Sequence, residues 1–228
     1  MTRGVVLLVG ALLVVPPPPV AGPGPVAPFA VATIHLEQNA TDGDFEAVVE
    51  AKGGDEGLAR LAVVAPDGRT IIDVAAPAAT TLGVRQLRFE SPEPGDFASL
   101  KAAYPEGVYT FTGTTTTGAK HQGTATLRHA LPATAAFLRP AAPARGVSVN
   151  DLQITWTPVR NATAYIVTIE QAELDVSIIA RVPGSSDRFA VPDGFLRAST
   201  AYQLGIGTVT AGGNISFVET TFTTAAKE

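Results

Sequence analysis

The densest set of potential ligands in this chain is the acidic turn Asp42-Gly43-Asp44-Phe45-Glu46. Closely spaced carboxylates on a turn are the hard oxygen donors that calcium takes, which makes Asp42, Asp44 and Glu46 the candidate metal residues. The helix-loop-helix calcium pattern is absent, because no third oxygen ligand falls at the required offset and no bidentate glutamate closes the loop. Asp and Gly are also what a tight turn selects for backbone reasons, so a structural turn is the favoured reading and calcium the alternative.

A second set of carboxylates lies alongside. Glu46 and Glu50 share one face of an alternating strand and could pair with Glu37 as the acid and base of a glycosidase. Solvated strand faces carry the same residues at the same spacing, and that reading is preferred. The three histidines offer no zinc spacing. His35 alternates with Ile34 and Leu36 and is expected at the solvent or at a sheet rim, His121 in a hairpin, and His129 at a strand end. There is no Gly-x-Ser-x-Gly, no phosphate-binding loop and no dinucleotide fingerprint. The chain therefore reads as a non-enzyme with no cofactor, glycosidase being the alternative.

The threonine ladder Thr110, Thr112, Thr114 to Thr117, Thr124 and Thr126 occupies a hairpin. Threonine suits exposed strands because its branched carbon packs on the pleat. Such a flat polar face could also take a glycan, but glycan faces usually add exposed aromatics, and this hairpin offers only Tyr109 and Phe111.

Composition narrows the partners. A net charge of -5 with scattered arginines argues against nucleic acid, which needs clustered positive charge. Cysteine is absent, so there is no disulfide framework and no thiolate site. Arg3 followed by the apolar run Val5 to Val15 and by Pro16 to Pro19 has the layout of a secretory signal peptide. Small residues at Ala21, Ala27 and Ala32 offer cleavage positions, which bounds a signal peptide of about residues 1–27 with its end between 21 and 32. No later segment is apolar enough to span a membrane, so no membrane span is expected after signal removal. Export without disulfides suits a bacterial periplasmic or secreted protein. Asn39-Ala40-Thr41, Asn161-Ala162-Thr163 and Asn214-Ile215-Ser216 match the glycosylation pattern and are expected unmodified in that setting.

The elements that must position these residues are strands. Ile34 and Leu36, Phe45 with Ala47 and Val49, and Leu87 with Phe89 recur at period two, between turns such as Pro66-Asp67-Gly68 and Pro105-Glu106-Gly107. Asp96 to Tyr104 breaks the pattern at helical spacing, with Asp96 placed to cap it. Residues 33–131 thus form an N-terminal β-sandwich domain, and the proline- and alanine-rich stretch 132–145 a linker, within which Phe137 and Leu138 can already start the next strand. Beyond it, Leu152, Ile154 and Trp156, then Tyr165, Val167 and Ile169, then Tyr202, Leu204 and Ile206 define further half-buried strands.

Seven short strands with an early tryptophan, a tyrosine on the third strand and the segment Leu196-Arg197-Ala198-Ser199-Thr200-Ala201-Tyr202 resemble a fibronectin type III module, over residues 138–224. The family's segment is Leu-x-Pro-x-Thr-x-Tyr; Ala198 stands at its proline, while Leu196, Thr200 and Tyr202 match. The first domain is similar to the partner domain of bacterial exported proteins of unknown function that end in such a module, through Glu37 to Asp44, Pro66 to Arg69, Phe89 to Ser91 and Tyr104 to Gly113. The resemblance implies an all-β chain of two consecutive β-sandwich domains, the second a seven-stranded fibronectin type III or immunoglobulin-like sandwich. It implies no known activity. The resulting reading is an exported interaction or structural module whose partner is another envelope or extracellular protein, or a glycan, bound by loops or by the groove between domains. The alternatives are a carbohydrate-binding N-terminal sandwich and a calcium-dependent adhesive domain.

Overall fold

The computed structural model describes residues 26–76 and 84–226. The apolar run expected to be a signal peptide, with the candidate cleavage position after Ala21, lies outside them.

The first sandwich is built from β1 (Val26–Pro28), β2 (Val31–Asn39), β3 (Asp44–Lys52), β4 (Leu58–Val64), β5 (Thr70–Ala75), β6 (Gln86–Glu90), α1 (Phe97–Ala103), β7 (Gly107–Thr115) and β8 (Lys120–Leu127). One layer is β2-β3-β6; the other is β1-β8-β7-β4-β5. Alternation does the sorting, since successive side chains on a strand point to opposite faces. Ile34, Leu36, Ala47, Val49, Leu61, Val63, Tyr109 and Phe111 turn inward and are buried together. Asp96 caps α1, its carboxylate accepting from Ser99 N at 2.7 Å.

The second sandwich contains β9 (Phe137–Arg139), β10 (Ala144–Val147), β11 (Gln153–Trp156), β12 (Ala164–Gln171), β13 (Val176–Pro183), β14 (Arg188–Ala190), β15 (Ala201–Val209) and β16 (Ile215–Thr224). Its layers are β14-β11-β9 and β13-β12-β15-β16, with β10 laid parallel on β16. Counting β9 and β10 as one interrupted strand, the first, second and fifth strands form one layer and the other four the second, which is the fibronectin type III order. Trp156, Tyr165, Leu204, Ile206 and Phe222 fill the core, with the Trp156 and Tyr165 rings 5.2 Å apart. The predicted corner is present: Arg197 N donates to Tyr202 Oη at 2.9 Å.

The first sandwich repeats this order. With β2 as its first strand, β2, β3 and β6 are first, second and fifth, while β4, β5, β7 and β8 make the other layer. It also carries its own corner, in which Tyr109 Oη donates to Pro105 O at 3.0 Å from the equivalent sixth strand.

The two sandwiches share a sheet. β16 pairs in parallel with β2, Ile215 to Phe217 against Glu37 to Asn39, so that β13-β12-β15-β16-β2-β3-β6 runs unbroken across both. Core packing changes hands within a few residues, since Leu131 packs on the first core and Ala135 is buried in the second. The burial of His35 follows from this join. It is 8 % exposed beneath Gly213, in the turn before β16, rather than at an open rim, because the start of β16 closes over it.

Candidate functional site

The outward face of the shared sheet carries a groove of about 300 Å³. Glu37, Asn39, Asp44 and Glu46 line it from the first sandwich, with Glu93 from the segment after β6; Thr168, Glu170, Phe217 and Glu219 line it from the second. The strands that join at β2 and β16 thus bring six carboxylates near the Phe217 ring. Phe217 can lie flat here because its neighbour across the ladder is Gly207, where a Cβ would fall 2.6 Å from the ring.

Glu37 and Glu46 are direct cross-strand partners in the β2–β3 ladder. Like charges placed so are destabilising unless compensated. Compensation comes from Arg88 on β6, whose guanidinium reaches Glu37 at 3.0 Å, Glu50 at 3.4 Å and Glu90 at 2.8 Å. His35 Nε2 adds a 2.8 Å contact to Glu37 Oε1. Burial pushes the Glu37 carboxyl up, but the hydrogen bonds from His35 and Arg88 outweigh it and hold the group below its ordinary range. Glu46 goes the other way, raised by its own burial and by the Glu90 and Glu37 carboxylates.

Of the three glycosidase candidates, Glu37 and Glu50 are therefore engaged by Arg88, and Glu46 alone presents a carboxyl without an ion-pair partner among the described residues. A glycosidase needs both of its carboxyls facing the scissile bond. Here Arg88 and His35 occupy Glu37 Oε1 from within the sheet.

The metal candidates are divided by the hairpin between β2 and β3. Asp42 sits in the turn, accepting from Asn39 Nδ2 at 2.9 Å and from Asp44 N at 3.4 Å. Gly43 takes the left-handed conformation the turn demands, at φ 88°. Asp44 and Glu46 share the strand face toward the groove. Among the described residues, no group of three or more acidic or histidine side chains is placed to hold a metal ion. The hairpin has a visible structural task instead, for its tip docks on β16: Ala40 N donates to Phe217 O at 2.9 Å, and Glu219 N to Thr41 Oγ1 at 2.7 Å.

The threonine ladder is split by the alternation: Thr115 turns inward and is buried, and Thr116 and Thr117 lie in the turn after β7. Thr110, Thr112, Thr114, Thr124 and Thr126 point outward, beside a shallow concavity of about 370 Å³ that also involves Arg60, Lys120 and Gln122. Tyr109 and Phe111 are buried in the core and Tyr104 packs against it, so these aromatics supply no stacking platform there.

One residue central to the join carries no sequence signal of that role. Asn214 is 2 % exposed; its Oδ1 accepts from Leu36 N at 2.9 Å, and its Nδ2 donates to Arg128 O at 2.7 Å and Ala130 O at 2.9 Å. In the sequence Asn214 stands out only as a glycosylation acceptor, and its amide is fully used by the fold.

Strand order, both tyrosine corners and the groove define an all-β tandem sandwich of fibronectin type III topology. No protein-family model and no characterised relative matches the chain in sequence. Among solved structures, fibronectin type III segments are similar to it at low overall superposition. The FN1–FN3 domains of chicken CNTN1 share 16% identity, covering 89% of this chain and 67% of that one, with a TM-score of 0.33. A two-domain fibronectin type III segment of chicken tenascin shares 13%, covering 86% and 96%, at 0.33. The fibronectin(III)-like modules of Clostridium thermocellum CbhA share 8%, covering 89% and 92%, at 0.35. Among the described residues, no helix is long and apolar enough to cross a membrane.

Proposed function

We propose that residues 33–131 and 138–224 are the two units of an exported, non-enzymatic interaction module, and that the shared sheet makes them one rigid body with a continuous face for a partner protein. The observation that carries this reading is the β16–β2 pairing, reinforced by Asn214 and by the hairpin tip on β16. Two sandwiches tied by backbone pairing hold surfaces from both in fixed register, which suits presentation of a composite site such as the groove. The leader-like N-terminus and the lack of cysteine support export to a bacterial envelope or beyond. A protein partner is preferred to a glycan because Tyr109 and Phe111 are core residues.

The test is photo-crosslinking in the producing cell from a reactive amino acid placed at Thr168, which lines the groove. The expected product is a covalent adduct with a second polypeptide, absent when the same group is placed at Ala190 on β14. Retention of the purified protein on a glycan array, lost on replacing the outward threonines, would put the carbohydrate reading in its place.

A further inference from the structure

β13 ends the shared sheet. It pairs with β12 through eight consecutive residues without a register shift, and its other edge is free among the described residues. The other terminal strands are shorter: six residues in β5, five in β6, and three in each of β1, β9 and β14. Open edges of this length are normally blunted by charged side chains, above all lysine, by an inward charge, a proline or a bulge, because a row of unpaired amides and carbonyls recruits another strand. On β13 these are limited to the outward Arg181 and the terminal Pro183, and the central run Ser177 to Ala180 carries neither charge nor proline. It bears instead Ile179, which at 72 % is the most exposed of the large hydrophobic side chains.

We propose that β13 is a self-association edge, on which two copies of this chain pair antiparallel about a two-fold axis at Ile179. The strand is complementary to itself in that register. Ile179 meets Ile179 on the outer face, and Ser177 meets Arg181 of the second copy, so no like charges are opposed. On the inner face Ile178 meets Ala180 and Val176 meets Val182, a row of half-buried apolar side chains that extends the second core.

Charge selects the same register. Glu170 on β12 lies directly beside Ser177, and both point outward. Arg181 of the second copy arrives on the far side of that small serine, within reach of Glu170, and symmetry repeats the pair. Neither Glu170 nor Arg181 forms a salt bridge among the described residues. The occupant is thus a second copy rather than an unrelated strand, and an isologous contact of this kind closes as a dimer. One strand pair buries less than the roughly 1,200 Å² of a standard stable interface, so association is concentration-dependent.

The native chain has no cysteine, which allows a direct test. Ile179→Cys is expected to form an intermolecular disulfide under mild oxidation at least about tenfold faster than Val108→Cys, a control of similar type that is also exposed, because pairing raises the local thiol concentration. Sedimentation of the processed chain is expected to show a monomer–dimer equilibrium that Ile179→Lys abolishes. Arg181→Glu weakens it, and adding Glu170→Arg restores it. A chain that stays monomeric up to about 1 mM, the level expected for even weak association, overturns the proposal. So does an Ile179→Cys cross-linking rate equal to that of the control.

Discussion

Asn214 accepts a hydrogen bond from the Leu36 amide across 178 positions of sequence, and this 2.9 Å contact joins the residue just before β16 of one sandwich to β2 of the other. The same side chain donates to the Arg128 and Ala130 carbonyls, so the chain leaving the first sandwich is held at the same point. Replacing Asn214 by Ala leaves a buried N–H and two carbonyls without their partner. Since each buried unsatisfied group costs about 1–3 kcal/mol, a loss of at least about 2 kcal/mol is expected. Urea unfolding of Asn214→Ala should show a lower midpoint and, with the junction weakened, separate transitions for the two cores.

The two tyrosine corners give a matched pair of tests. Tyr202→Phe removes the acceptor for Arg197 N, and Tyr109→Phe removes the donor to Pro105 O. Each should destabilise by about 1–2 kcal/mol with the fold retained, as read by denaturation and by unchanged far-ultraviolet dichroism. Burial lifts the Tyr109 hydroxyl to about 12, so its ionisation should lag that of an exposed tyrosine in a spectrophotometric alkaline titration.

Acid stability should depend on Glu37 and Glu46 with opposite signs. Glu37 has a lowered folded value, so it binds fewer protons in the folded than in the unfolded chain. Its stabilisation is complete above the ordinary value of 4.5 and is lost as pH falls through the lowered one. Glu46 has a raised folded value, so ionising it opposes folding at neutral pH, and the opposition vanishes below 4.5. Glu46→Gln should therefore raise the urea midpoint at pH 7 and leave it unchanged near pH 3. Glu37→Gln should lower it at pH 7 and flatten the acid limb.

Calcium should not raise the melting temperature. Both Asp42 carboxylate oxygens already accept hydrogen bonds that shape the hairpin, and Asp44 and Glu46 face the groove instead. A thermal scan with millimolar calcium against chelator reads this directly; a concentration-dependent rise following mass action would restore Asp42, Asp44 and Glu46 as ligands.

On the proposed export, the expected cleavage is after Ala21, so that the processed chain begins at Gly22. Phe29 packs on the first core, 6.3 Å from the Phe111 ring, over Gly113 and Gly123, where any Cβ would crowd it. Cleavage after Ala32 would remove Phe29, and cleavage after Ala27 would cut through β1 and strip most of its pairing with β8. Intact mass and N-terminal sequencing of the chain recovered from the producing cells and their medium distinguish the three.

Local features were legible because local physics makes them. Period-two alternation located most of the strands, the Asp96 cap marked α1, and the spacing from Leu196 to Tyr202 marked a corner whose two partners are five residues apart. The groove was legible only in its parts. Glu37, Asp44 and Glu46 stood out as carboxylates, but nothing near them in sequence announces Glu170, Phe217 or Glu219, which arrive from the other sandwich. Asn214 looked like an acceptor site for a glycan because a triplet pattern is blind to burial.

The sequence by itself determined which faces of the strands are apolar, where the chain turns and which residues can cap or corner, since these follow from side-chain alternation and backbone preference within a few positions. Tertiary structure alone decided that the first sandwich repeats the strand order of the second, that β16 and β2 are neighbours, and that Arg88 gathers three glutamates beside a shared groove. Each of those rests on pairing between segments far apart in the chain, and hydrogen bonds between backbones leave no trace in residue type.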